Sequence, residues 1–129
     1  MQDRSWWLGV ALSGALVVML GAFAAHGLSG QLTPRLEQAF TTGVRYQAWH
    51  TLAALAVLAW RTQARFSAQR YTLMLWATGT LLFSGSLYAM ALAALAGAGL
   101  GAFGIVTPVG GLALVLGWLV LAAGVWRQR

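Results

Sequence analysis

Any chemistry in this 129-residue chain must come from very few side chains. It has no cysteine and no lysine, which removes thiolate nucleophiles, thiolate metal ligation and Schiff-base formation. Its two acids, Asp3 and Glu37, lie near different ends of the first apolar run, so a two-carboxylate hydrolase is excluded. Polar residues do gather within apolar sequence at Arg45, Tyr46 and His50, at Ser84, Ser86 and Tyr88, and at the more distant His26 and Thr107. A Ser84–His50 pairing lacks an orienting carboxylate and a nucleophile elbow. No catalytic residue, resident cofactor or metal site is therefore expected. Haem or metal binding through His26 and His50 is a lesser alternative, because helical rise sets the two imidazoles ~10–15 Å apart along the membrane normal.

Helical phase gives the cluster a shape. Tyr46 and His50 are four apart and share a face, as do Thr80, Ser84 and Tyr88. Unpaired polar groups are costly in hydrocarbon. Arg45, Tyr46, His50, Ser84 and Tyr88 are therefore expected to form one connected group between the second and third helices, with His50 neutral. Two readings stay open. In one, these residues line a polar pocket in the outer half of the protein that binds a small ligand, a lipid headgroup or an anion, with Arg45 as the charged contact. In the other, they only fix helix register in a structural or assembly subunit of a larger membrane complex.

The elements that must carry these residues follow from composition. Sixty per cent of the chain is hydrophobic and 8% is charged, too little charge to cover a water-exposed surface. Four apolar runs, at about 6–26, 42–60, 71–95 and 105–126, are each long enough to span the ~30 Å hydrocarbon core. The fold expected is all-α, a polytopic four-transmembrane-helix bundle forming a single membrane domain. Ala22-Phe23-Ala24 resembles a signal-peptide cleavage site, but the first run is too long for an h-region and is read as a retained helix. Between the first and second runs, Leu28, Leu32, Leu36 and Phe40 recur every four residues after a Thr33-Pro34 start signal. They predict a short amphipathic helix over 33–41 lying in the interface.

Four spans put Arg4, Arg61, Arg65, Arg70, Arg127 and Arg129 on one side and only Arg35 and Arg45 on the other. The positive-inside rule makes the first side cytoplasmic, with both termini there, in a multi-pass cell-membrane protein. Trp6, Trp7, Trp60, Tyr71 and Trp126 form the matching aromatic belt. Arginines placed this way read as topology and headgroup signals, so nucleic acid is not an expected partner. The lipid bilayer is, together with a homo-oligomer or a larger membrane complex.

Packing between spans depends on small residues. Gly110, Gly117 and Gly124 recur every seven residues. Gly9-x3-Ser13, Ala11-x3-Ala15 and Gly85-x3-Ala89 offer further close-approach faces. Whether the Gly110/Gly117/Gly124 seam meets the bundle or a second protomer is left open by the sequence.

Four ordered motifs carry a resemblance over nearly the whole chain. They are Gly21-Ala-Phe-Ala-Ala-His26-Gly-Leu, Thr42-Gly-Val-Arg45-Tyr46-Gln-Ala-Trp-His50, Phe83-Ser84-Gly-Ser86-Leu-Tyr88 and Thr107-Pro108-Val-Gly110-Gly111. The chain resembles the domain-of-unknown-function 423 family, the YgdD-like small membrane proteins related to mitochondrial transmembrane protein 256. Trp49 stands where the family pattern has a tyrosine or similar aromatic, and Ala24 where it has glycine. The resemblance implies a four-helix integral membrane protein of the inner membrane without an assigned activity. It draws attention to the same polar residues without naming a ligand.

Overall fold

A computed structural model describes residues 3–99, 101 and 103–128, without the side chain of Phe103. Arg129, counted among the inner arginines, and Leu100 and Ala102 of the glycine-rich turn lie outside the described residues. The described residues form four α-helices and no strand: α1 (Arg4–His26), α2 (Pro34–Arg61), α3 (Ser67–Leu95) and α4 (Phe103–Trp126). Three of them, α1, α3 and α4, are long and apolar enough to cross a membrane. The second is more polar, since it carries Arg35, Glu37, Arg45, Gln47 and His50.

The separate interfacial helix expected over 33–41 does not exist; its residues form the first turns of α2. The start signal acts as predicted. Thr33 is the N-cap, its hydroxyl accepts from Leu36 N at 3.4 Å, and Pro34 opens the helix. Nothing after Phe40 stops it, because one glycine costs a helix only ~1 kcal/mol. Gly43 is also needed where it stands, since a Cβ there would lie 2.8 Å from the Tyr88 ring. The period-four leucines serve packing: Leu28 and Phe40 are buried with Ala91 at one end of the molecule, and Leu32 packs against them. At 28 residues α2 is about 42 Å long, so it overreaches a ~30 Å hydrocarbon core.

The α4 glycine seam meets α3. A Cβ at Gly110 would overlap the Phe83 backbone, one at Gly117 would come within 2.5 Å of the Trp76 indole, and one at Gly124 would overlap Ala68. Gly79 of α3 answers with its own close approach to Leu114 and the Gly110 carbonyl. Thr72 Oγ1 donates to Gly117 O at 3.1 Å across the same seam. Val57, Leu58, Leu73, Trp76 and Leu114 complete a core shared by α2, α3 and α4.

The bundle is open on one side. Each helix packs along the next in sequence, and α1 runs beside α2 without packing its backbone on α3 or α4. No residue of α1 is buried. At one end Asp3 ties α1 to the end of α2 and to the connector after it, accepting from Arg61 Nε and Nη2 at 3.2 Å each and pairing with Arg65 at 3.1 Å. The Arg61 guanidinium, with Arg65 nearby, holds the Asp3 carboxyl below its ordinary value of 3.8 although burial opposes the shift.

Candidate functional site

Between α1 and α3, floored by α2, lies a groove of about 490 Å³. Its α1 wall runs from Trp6 through Gly9 and Ser13 to Leu16. Its floor is Gln47, His50, Thr51 and Ala54, and its α3 wall runs from Leu73 through Ala77 and Thr80 to Gly85 and Tyr88. The two ends differ in chemistry. Around Trp6, Ala54, Leu73 and Trp76 the lining is apolar, whereas Ser13, Gln47, Thr51, Thr80, Ser84 and Tyr88 gather towards the other end.

Most of those polar groups are joined in a relay across three helices. Tyr88 Oη donates to Gln47 Oε1 at 2.7 Å, and Gln47 Nε2 donates to Ser13 Oγ at 3.1 Å and to Ser13 O at 3.4 Å. Ser13 Oγ and Thr51 Oγ1 share a further bond of 2.7 Å. Ser84 Oγ donates to Gly43 O at 2.7 Å, close beside the relay. The small residue at 43 admits both the Ser84 bond and the Tyr88 ring.

A second set joins α2 to α4. His50 Nδ1 lies 2.8 Å from Tyr46 O, and Trp118 Nε1 lies 3.2 Å from His50 Nε2. An indole N–H can only donate, so Nε2 accepts and Nδ1–H donates to the carbonyl. This arrangement is that of a neutral imidazole. The Nε2 lone pair that a metal would need is engaged, and the described residues contain no group of three or more His, Cys, Asp or Glu placed to hold an ion. The Trp76 and Trp118 rings lie 4.5 Å apart, tilted by 53°, beside His50, and Trp76 Nε1 is buried over Gly117 with no hydrogen-bond partner among the described residues.

Ser86 and Thr107 form a third contact, hydroxyl to hydroxyl at 2.6 Å between α3 and α4, on a different face from Ser84. Of the residues singled out from sequence, Tyr88 thus reaches the groove and its relay and Ser84 lines the groove beside that relay, while His50 lines the groove floor but bonds away from it. Tyr46 contributes its carbonyl to His50 and its ring to a tilted contact with Phe83 at 4.7 Å. Arg45 and His26 are exposed and join none of these bonds. The single connected group is therefore replaced by separate sets, and Arg45 is not part of it. The reason is phase: Arg45 lies about 200° around α2 from Gln47, on the face of Trp49 and Leu52, where a guanidinium can reach headgroups.

Gln47, Ser13, Thr51 and Trp118 were not singled out by sequence reasoning. A signal existed for each. Gly43, Gln47 and Thr51 recur at four-residue spacing. Ser13 sits in the small-residue motif of α1. Trp118 lies eight residues inside the belt position of Trp126, where its N–H needs a partner.

The fold and this site define a small, polytopic, all-helical membrane protein. Residues 20–111 match the family described as "Protein of unknown function (DUF423)", and the chain belongs to that family. It is 44% identical over 130 residues to the UPF0382 inner membrane protein YgdD of Escherichia coli, covering 100% of this chain and 95% of that protein. It is 43% identical over 121 residues to a UPF0382 membrane protein of Haemophilus influenzae, covering 93% and 92%. With the UPF0382 membrane protein YwdK of Bacillus subtilis the identity is 34% over 113 residues, covering 86% and 87%. No solved structure matches.

Proposed function

We propose that the chain is a four-span inner-membrane binding protein whose groove between α1 and α3 receives an uncharged, lipid-soluble molecule. The observation that carries this reading is the groove itself: about 490 Å³, within the usual size of a small-molecule site, with a row of neutral polar groups along one part of an otherwise apolar lining. No arginine or acid lines it, so an anion or a phosphate headgroup finds no countercharge there. In this reading α2 crosses with the other three helices, and the Asp3–Arg61–Arg65 tie keeps the N-terminus beside the arginine connector on the cytoplasmic side. A C-terminal reporter active only in the cytoplasm should be active; activity only of an exported reporter contradicts the topology.

The binding reading is tested through Trp6 and Trp76, which line the groove. A neutral, hydrocarbon-soluble nitroxide should quench tryptophan fluorescence saturably, and Gly85→Leu, which fills open space on the α3 wall, should remove the saturable part. Identical, non-saturating quenching in both proteins would overturn it. The relay's many internal bonds also suit the register-fixing reading, in which Gln47 only locks α1 to α2 and α3. The nitroxide result separates the two, because a purely structural relay has no site to saturate.

A further inference from the structure

Resting on the reading of the groove as a ligand site, we infer that its guest is a carbonyl-bearing, quinone-like lipid, hydrogen-bonded at Thr80 and at the Ser13–Thr51 hydroxyl pair. The depth of the polar groups limits what can reach them. Asp3 and Arg61 touch, which fixes a common level for α1 and α2. Ser13 and Thr51 each lie ten residues from that level, about 15 Å into a core ~30 Å thick, and Gln47 lies about 21 Å in. A phospholipid headgroup stays at the surface and cannot bring its polar atoms to that depth. Its acyl chain can, but a hydrocarbon chain offers nothing to a hydroxyl. The guest must carry its own polar group into hydrocarbon, which only an uncharged molecule does without a large penalty.

Proton accounting then favours an acceptor. The Tyr88 hydroxyl proton is used on Gln47, and that of Ser84 on Gly43 O. Ser13 and Thr51 have two hydroxyl protons and share one bond. Whichever of them donates, the other keeps a proton outside the relay. Thr80 also lines the groove, half-buried, and its hydroxyl makes no hydrogen bond among the described residues. The groove therefore offers two hydroxyl protons without acceptors among the described residues, and a polar group left unpaired in hydrocarbon is costly. Carbonyl oxygens meet them. A flat ring also suits walls of Gly9, Ala77 and Gly85, where an added Cβ at either glycine would touch nothing within 4 Å, with Trp76 alongside.

The test uses the full chain purified in detergent and the shift in its thermal midpoint on titration with a decyl-tailed dimethoxybenzoquinone, compared with decylbenzene and oleic acid. A ligand that binds only the folded state raises the midpoint. The expected result is a saturable rise with the quinone alone. In Thr80→Val the half-saturating concentration should increase about fivefold, the loss of roughly one neutral hydrogen bond. In Gly85→Leu and Gly9→Leu, which fill opposite walls, the rise should disappear. A rise with decylbenzene or oleic acid equal to that with quinone, still abolished by the two leucines, would leave the groove as a site but overturn the ligand class. Responses that the leucine variants do not alter, or no response to any probe, would overturn both.

Discussion

The α3–α4 seam and the α1–α3 groove are built from the same residue types and do opposite things. Gly79, Gly110 and Gly117 in the seam are places where a Cβ would strike a neighbouring backbone or ring, and the helices close on them. Gly9 and Gly85 meet nothing within 4 Å, and the space beside them stays open. Polar groups divide in the same way. In the seam, Thr72 donates to Gly117 O and Ser86 pairs with Thr107, helix to helix. Beside the groove the bonds run through the long Gln47 side chain, which bridges to α1 on one side and to Tyr88 on the other. A glycine in an apolar helix therefore does not by itself mark a helix contact. What it faces decides whether it holds the fold together or keeps a space open.

Leucine substitutions should separate the two regions most sharply. Gly110→Leu forces side-chain atoms into the Phe83 backbone and should abolish recovery of monodisperse protein in detergent, whereas Gly85→Leu should elute and melt like the parent chain. Equal damage from both would show that the groove is a packed contact. The next largest effect is expected from Gln47→Leu, which removes the bonds to Ser13 and Tyr88 together. It should lower stability by about 2 kcal/mol in reversible denaturation and speed hydrogen exchange in α1 more than in α4. Exchange that rises equally in both helices would deny that the relay is what holds α1.

His50→Phe removes the acceptor of Trp118 and should cost about 1 kcal/mol, with a change in tryptophan emission as the indole N–H loses its bond. Unaltered emission and stability would remove that bond from the account. The smallest effect concerns Asp3. Its folded-state pKa lies below 3.8, so the tie to Arg61 and Arg65 is complete above that ordinary value and is lost as pH falls through the lowered one. Thermal midpoints should be flat from pH 8 to 5 and fall below about 3.8, with the fall reduced in Asp3→Asn. A fall already present between pH 7 and 5 would point to another group.

Much of this architecture was legible in the sequence. Apolar runs and flanking arginines located the four helices, Thr33-Pro34 marked where α2 begins, and the sevenfold glycine spacing marked a seam on α4. Three features were not legible, for physical reasons. That Gly43 is a close-packing position and not a helix break depends on the Tyr88 ring that occupies the space there, a contact 45 residues away. The exclusion of Arg45 depends on which side of α2 meets α3, and phase fixes angles between residues but not the direction of the neighbour. The groove depends on α1 standing apart from α3, whereas the small-residue motifs of both helices read as contacts.

Native mass spectrometry of the protein released from its own membrane tests the central claim most directly. A discrete adduct that dissociates as a neutral molecule is expected on the parent chain, and is expected to be lost from Gly85→Leu under identical extraction. A bare parent chain, or an adduct that is an anionic phospholipid bound equally by both proteins, would contradict it.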